Sequence, residues 1–155
     1  MSGCKNPFAP RLDFSSEDNS KGLTDLTTID GIFQSFQFAY SFRDTSIYGK
    51  IVGEDFIFTY RDYEKGFDVS WGRDDEMKTT NGLFTNSQRL DLIWNNIVLS
   101  NVDSVKATIV RGFNLTVTFN PTDVVRIDGR VNLSLKRDDA TQNWKMVKWL
   151  DESSL

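Results

Sequence analysis

Between Val105 and Leu150 apolar and polar residues alternate through three long runs. In the first, Val105, Ala107, Ile109, Phe113, Leu115, Val117 and Phe119 share one parity, and Lys106, Thr108, Asn114, Thr116 and Thr118 fill the other. A period of two over that length predicts a half-buried strand. Asn120, Pro121, Thr122 and Asp123 predict a hairpin turn, because Pro presets a turn dihedral and Asn and Asp bond their own backbone. The second run sets Val125, Ile127, Val131, Leu133 and Leu135 against Arg126, Asp128, Arg130, Asn132, Ser134 and Lys136, with Gly129 predicting a bend or close packing. After a turn over Asp138 to Gln142, a third strand starts at Trp144. Regular alternation puts Trp144 and Trp149 on opposite faces, so both faces of the sheet are expected to have something to cover.

Upstream, the period lengthens. Ile29, Ile32, Phe33, Phe36 and Tyr40, at three- and four-residue spacing, predict a helix from Asp25 to Arg43, capped by Thr28 or Asp25. Phe38 and Phe42 add a second stripe, which predicts a helix clasped by the sheet, and Gly31 costs it little so near its start. A short second helix through Tyr48 and Ile51 leads to a strand in which Phe56, Phe58 and Tyr60 alternate with Ile57 and Thr59. Glu64 to Ser70 reads as a turn, and Trp71 precedes a third helix from about Asp74 to Phe84 whose inward stripe is Met77, Thr80, Leu83 and Phe84. Leu90 to Leu99 reads as a strand with Trp94 on the face of Leu90, Leu92 and Val98. The predicted class is α+β, a curved antiparallel sheet wrapped around the N-terminal helix.

Composition narrows the chemistry. A chain of 155 residues is the size of one domain with one ample core. Its net charge of -4 and scattered Lys and Arg supply no basic field for nucleic acid. The absence of His removes every Ser-His, Cys-His and His-metal arrangement, and a single Cys removes an intrachain disulfide and a Cys-rich zinc site. No cofactor is implied, and any catalysis falls to carboxylates, Lys and Tyr. The run Asp74, Asp75, Glu76 lacks the spacing of a calcium loop and reads as the first turn of a helix.

At the start of the chain, Ser2, Gly3 and Cys4 look like the end of a bacterial lipobox, with Cys4 the lipidation site. The polar stretch that follows, with Pro7, Pro10, Ser15, Ser16 and Ser20, predicts a tether over residues 1–23 and a domain over 24–155. No apolar run is long enough to span a bilayer, so membrane contact is expected only through a lipid anchor in the bacterial cell envelope.

The order of AYSFRD at the end of the first helix, Tyr48, the strand EDFIFTY, the helix start WGRDDEM, Leu83 and Phe84, the strand DGRVNLSLKRD and the closing NWKMVKW resembles the nuclear-transport-factor-2-like superfamily. The chain looks most like that superfamily's uncharacterised bacterial lipoproteins. The resemblance covers roughly Thr24 to Glu152 and implies a cone-shaped, cystatin-like α+β roll enclosing a conical pocket. Within it, ketosteroid isomerase uses a helix Tyr as oxyanion donor and a strand Asp to move the proton, and matching helix and strand puts those roles on Phe36 and Tyr60. Phe36 has no proton to donate. The His and Asp pair of scytalone dehydratase has no counterpart in a chain without His.

Tyr40, Tyr60 and Trp94 are candidate pocket residues, or else ordinary core rings with satisfied polar tips. Arg111 breaks its strand's apolar parity and therefore needs a partner. It either pairs with a carboxylate, escapes at the bend beside Gly112, or faces an acidic ligand in the cone. Asp55 reads as a turn or cap residue and Asp128 as a polar-face residue. Two functions follow: a non-catalytic envelope-anchored module binding a small apolar or acidic ligand or another protein, or a small isomerase- or dehydratase-like enzyme using Tyr and carboxylates. The hydroxyl-rich second sheet face, with Thr108, Val110, Thr116, Thr118, Asn132, Ser134 and one closing Trp, predicts a homodimer packed sheet to sheet.

Overall fold

The computed structural model describes residues 25–153. The first helix, α1 (Ile29–Phe42), starts at Thr28, whose side chain accepts the Gly31 N–H at 2.9 Å. It ends at Arg43, which takes a left-handed conformation (φ 52°) while its guanidinium donates to the carbonyls of Ser87 and Gln88 at 2.6 and 2.7 Å. Ile32, Phe33, Phe36 and Tyr40 are buried, as their spacing predicts, Ala39 is buried beside them, and Ile29 is half-buried. The second stripe is not clasped: Phe42 is 66% exposed and packs on half-buried Phe38 with ring centroids 4.4 Å apart, so α1 lies on the sheet by one face. Gly31 is also no spectator, because a Cβ there would stand 1.8 Å from the Asp25 carbonyl oxygen. The chain entering α1 crosses too close for any side chain.

Asp44 caps α2 (Thr45–Ile51) by accepting the N–H groups of Ser46 and Ile47. Then come β1 (Val52–Asp62), β2 (Phe67–Gly72), α3 (Arg73–Asn86), β3 (Arg89–Val102), β4 (Lys106–Asn120), β5 (Asp123–Lys136) and β6 (Lys145–Ser153). Strand β2 occupies residues expected as turn; only the stretch before it turns, and Phe67, Val69 and Trp71 alternate with Asp68 and Ser70 in antiparallel register with β1. Helix α3 has no side-chain cap, and Asp74, Asp75 and Glu76 in its first turn oppose its macrodipole instead.

The strands form one curved open sheet in the order β2-β1-β6-β5-β4-β3. All pairs are antiparallel except β1 with β6, which is parallel. The helices cover the concave face, where Ile109, Leu133, Leu135 and Met146 are fully buried. Val98 does not follow Trp94 inward: register shifts between Trp94 and Ile97 and between Ile97 and Leu99 bend β3, leaving Val98 56% exposed.

Strand β6 departs from its expected phase. Met146 pairs with Leu135 but Lys148 pairs with Ser134, so Val147 is an extra, bulged residue. Past the bulge, Trp149 pairs with Leu133 and faces inward, as does Trp144, which is 1% exposed. The expectation of one Trp on each face is thus overturned by a one-residue shift of phase.

Candidate functional site

A cavity of about 250 Å³ lies between the concave face and helices α1 and α3. Phe36 and Tyr40 reach it from α1, Phe58 and Trp71 from β1 and β2, Glu76 and Thr80 from α3, and Trp94, Phe113, Trp149 and Asp151 from the remaining sheet. Thr79 is exposed and Leu83, Ile127 and Asp151 are half-buried, which puts the mouth between the middle of α3 and the ends of β5 and β6. Phe36 is central to the wall, its ring lying 5.2–5.5 Å from those of Trp94, Tyr40, Tyr48 and Trp149. Most of these contacts are edge to face, an arrangement that holds rings in fixed orientations.

The polar part of the wall is built around Glu76, only 4% exposed. Its Oε2 accepts from the Tyr48 hydroxyl at 2.6 Å and the Thr80 hydroxyl at 3.4 Å, and its Oε1 accepts from the Trp71 indole N–H at 2.8 Å. Three neutral donors thus hold one carboxylate, and among the described residues no cation joins them. Burial pushes the Tyr48 hydroxyl well above the usual phenol range, reinforced by the charge of Glu76. Burial also raises Tyr40 far above that range, with Glu76 and then Asp151 adding to the effect, so its hydroxyl lies within electrostatic reach of both carboxylates. Both phenols are therefore held protonated. The Trp149 Nε1 is buried without a hydrogen-bond partner among the described residues.

Of the residues expected from sequence, Tyr40 and Trp94 are on this wall, and the Trp94 indole donates to the Phe33 carbonyl at 2.9 Å. Tyr60 is not; it packs behind Trp71, ring centroids 5.7 Å apart. Arg111 does not face the cone either. It sits opposite the β3 bulge, donates to the Asn95 carbonyl at 2.8 Å and lies over the Phe33 ring at 4.9 Å and the Trp94 ring at 5.8 Å, so its partners are a carbonyl and two π faces. Phe36 is on the wall and donates nothing. Cys4 lies outside the described residues.

Sequence reading passed over Glu76, Trp149 and Asp151. Glu76 lies four residues before Thr80 on the inward stripe, a spacing that could have marked it. The other two depend on the β6 bulge. A wider polar groove beside Gly49, Gly53 and Gly72 also carries charge, but its Arg73 and Lys145 are bonded to the carbonyls of Gly49, Val52 and Lys50 and serve the fold. Among the described residues no three His, Cys, Asp or Glu side chains are grouped to hold one metal ion.

No protein-family model matches the sequence, and no curated protein matches it significantly. Solved structures do. A conserved protein from Planctomyces limnophilus superposes with a TM-score of 0.72 at 11% identity, over 84% of this chain and 97% of the other. A candidate dehydratase of the nuclear-transport-factor-2-like family from Streptomyces avermitilis gives 0.65 at 13%, over 85% and 97%. LinA gives 0.65 at 14%, over 88% and 90%. At these identities the likeness is one of fold, and the chain has the cone-shaped fold of nuclear-transport-factor-2-like proteins.

Proposed function

We propose that this domain is a non-catalytic binding module that takes a small ligand into its conical cavity. The observation that carries the proposal is how Glu76 is engaged: each of its oxygens is bonded to side chains of the fold, so it closes α2, β2 and α3 over the cavity rather than standing ready to take a proton. Phe36, where the resemblance to ketosteroid isomerase calls for a donor, supports the same reading. Titration with a set of monocyclic compounds, followed through the indole N–H signals of Trp71, Trp94 and Trp149, tests it. Saturable shifts at those three are expected, with Trp144, which does not line the cavity, largely unmoved. No shifts at millimolar ligand would sink it.

A second reading, a small isomerase- or dehydratase-like enzyme, draws on Asp151 and the Tyr40 hydroxyl sharing one cavity. It requires turnover that Asp151→Asn abolishes while binding persists.

The lipid anchor belongs to this proposal as well and rests on Ser2, Gly3 and Cys4. No helix among the described residues is long and apolar enough to cross a membrane. Expression of the natural gene with labelled fatty acid is expected to label the protein and to fail with Cys4→Ala. A homodimer through the convex face completes the proposal. There one row of laterally paired residues, Ser70, Thr59, Leu150, Asn132, Val110 and Leu99, crosses all six strands without a charge.

A further inference from the structure

We infer that the cavity's ligand is a small organic cation, an ammonium ion with apolar substituents; the inference rests on reading the cavity as a binding site. Seven of the sixteen lining residues are aromatic, and their rings meet at steep angles, 80° for Phe36 with Trp94 and 87° for Phe58 with Trp149. A visitor therefore meets ring faces from several directions. Each face carries the negative end of a quadrupole, which attracts a desolvated cation and gives an anion nothing.

The charges on the wall have the same sign. Glu76 brings a carboxylate that is 4% exposed and bonded only to neutral donors, and Asp151 brings a second. Among the described residues no Lys or Arg lines the cavity, and Arg111, the cation that an acidic ligand would have needed, donates to the Asn95 carbonyl and lies over the Phe33 and Trp94 rings. Neutral donors lower the cost of a buried carboxylate without cancelling its field. An anion entering here would lose its water and meet two like charges. A neutral molecule would gain apolar burial alone, whereas a cation gains that burial and the field of the Glu76 carboxylate, whose donors are all neutral. The volume of about 250 Å³ matches the bulk share of roughly eight water molecules at ~30 Å³ each, which admits a guest the size of a ring bearing a branched ammonium group.

The test is calorimetric titration of the full chain with phenyltrimethylammonium, its neutral isostere tert-butylbenzene, and benzoate, with the indole signals recorded in parallel. The cation is expected to bind about tenfold or more tighter than the isostere, and benzoate weakest. Glu76→Gln is expected to keep the fold, because the amide oxygen can stay on Trp71 while the Tyr48 and Thr80 hydroxyls reverse to accept from the amide nitrogen. It and Asp151→Asn, a second variant on another element of the wall, should each weaken the cation by about threefold to tenfold and leave the isostere within about twofold. Equal binding of cation and isostere, or a preference for benzoate, overturns the charge inference and leaves the binding module standing. Failure of all three probes overturns both.

Discussion

The Tyr48 hydroxyl donates to Glu76 Oε2 at 2.6 Å across 28 residues of sequence, joining α2 to α3 behind the cavity wall. Tyr48 is fully buried, so Tyr48→Phe keeps the ring's packing and removes one donor from a buried carboxylate. A loss of about 1.5–3 kcal/mol in urea unfolding is expected, the range for a hydrogen bond to a charged group. A loss within error would mean that Thr80 and Trp71 suffice.

The same burial sets an alkaline limit. The folded-state pKa values of Tyr40 and Tyr48 are raised, by burial first and by Glu76 next. Groups whose folded pKa exceeds the unfolded one contribute stability that is intact below the unfolded value, about 10 for Tyr, and that is lost as pH rises above it. Unfolding free energy should therefore fall from about pH 10 upward, and the tyrosinate absorbance of these two residues should appear only with unfolding. Tyr40→Phe should flatten that fall. Ionisation of both in the native state would refute the assignment.

Gly31→Ala reverses the ordinary rule for helices. Alanine usually stabilises a helix position by about 1 kcal/mol over glycine. Here the new methyl meets the Asp25 carbonyl oxygen at 1.8 Å, and the chain entering α1 has to move. A loss of about 1–3 kcal/mol or more is expected by thermal unfolding.

The sheet-to-sheet homodimer is tested by sedimentation at micromolar protein. Val110, half-buried at the centre of the uncharged convex row, becomes Lys in a variant expected to be monomeric with an unchanged melting temperature. Since both Trp144 and Trp149 face inward, the interface would be threonine, asparagine and aliphatic, and of moderate strength. A wild-type monomer across that range would remove the dimer.

Alternation in β4 and β5 and the helical spacing from Ile29 to Tyr40 carried the fold, because in both cases one face is buried without interruption. The class and the element order were legible for that reason. The site was legible in part. Tyr40 and Trp94 line the cavity as their helical spacing and strand parity lead one to expect, whereas Trp149 and Asp151 lie beyond a bulge that periodicity cannot see. Glu76 was hidden differently: a carboxylate in a first helical turn is so ordinary there that only its three donors, brought from α2, β2 and α3, mark it as buried. Arg111 has a parity that points inward, and the opposing bulge in β3 opens the route to the Asn95 carbonyl, the escape at the bend beside Gly112 that is one of its expected outcomes.

The extra residue in β6 makes the cavity's lining a matter of chain length as well as side-chain identity. Because Val147 advances the phase by one, Trp149 and Asp151 stand on the wall while Lys148 and Leu150 face out. One further residue inserted after Lys148 would turn the far half of the strand over, bringing Leu150 and Glu152 inward in place of Trp149 and Asp151. A single codon gained or lost there would exchange an aromatic and acidic wall for an aliphatic one with a longer acid, changing the shape and chemistry of the cavity while α1 and the rest of the sheet stay in place.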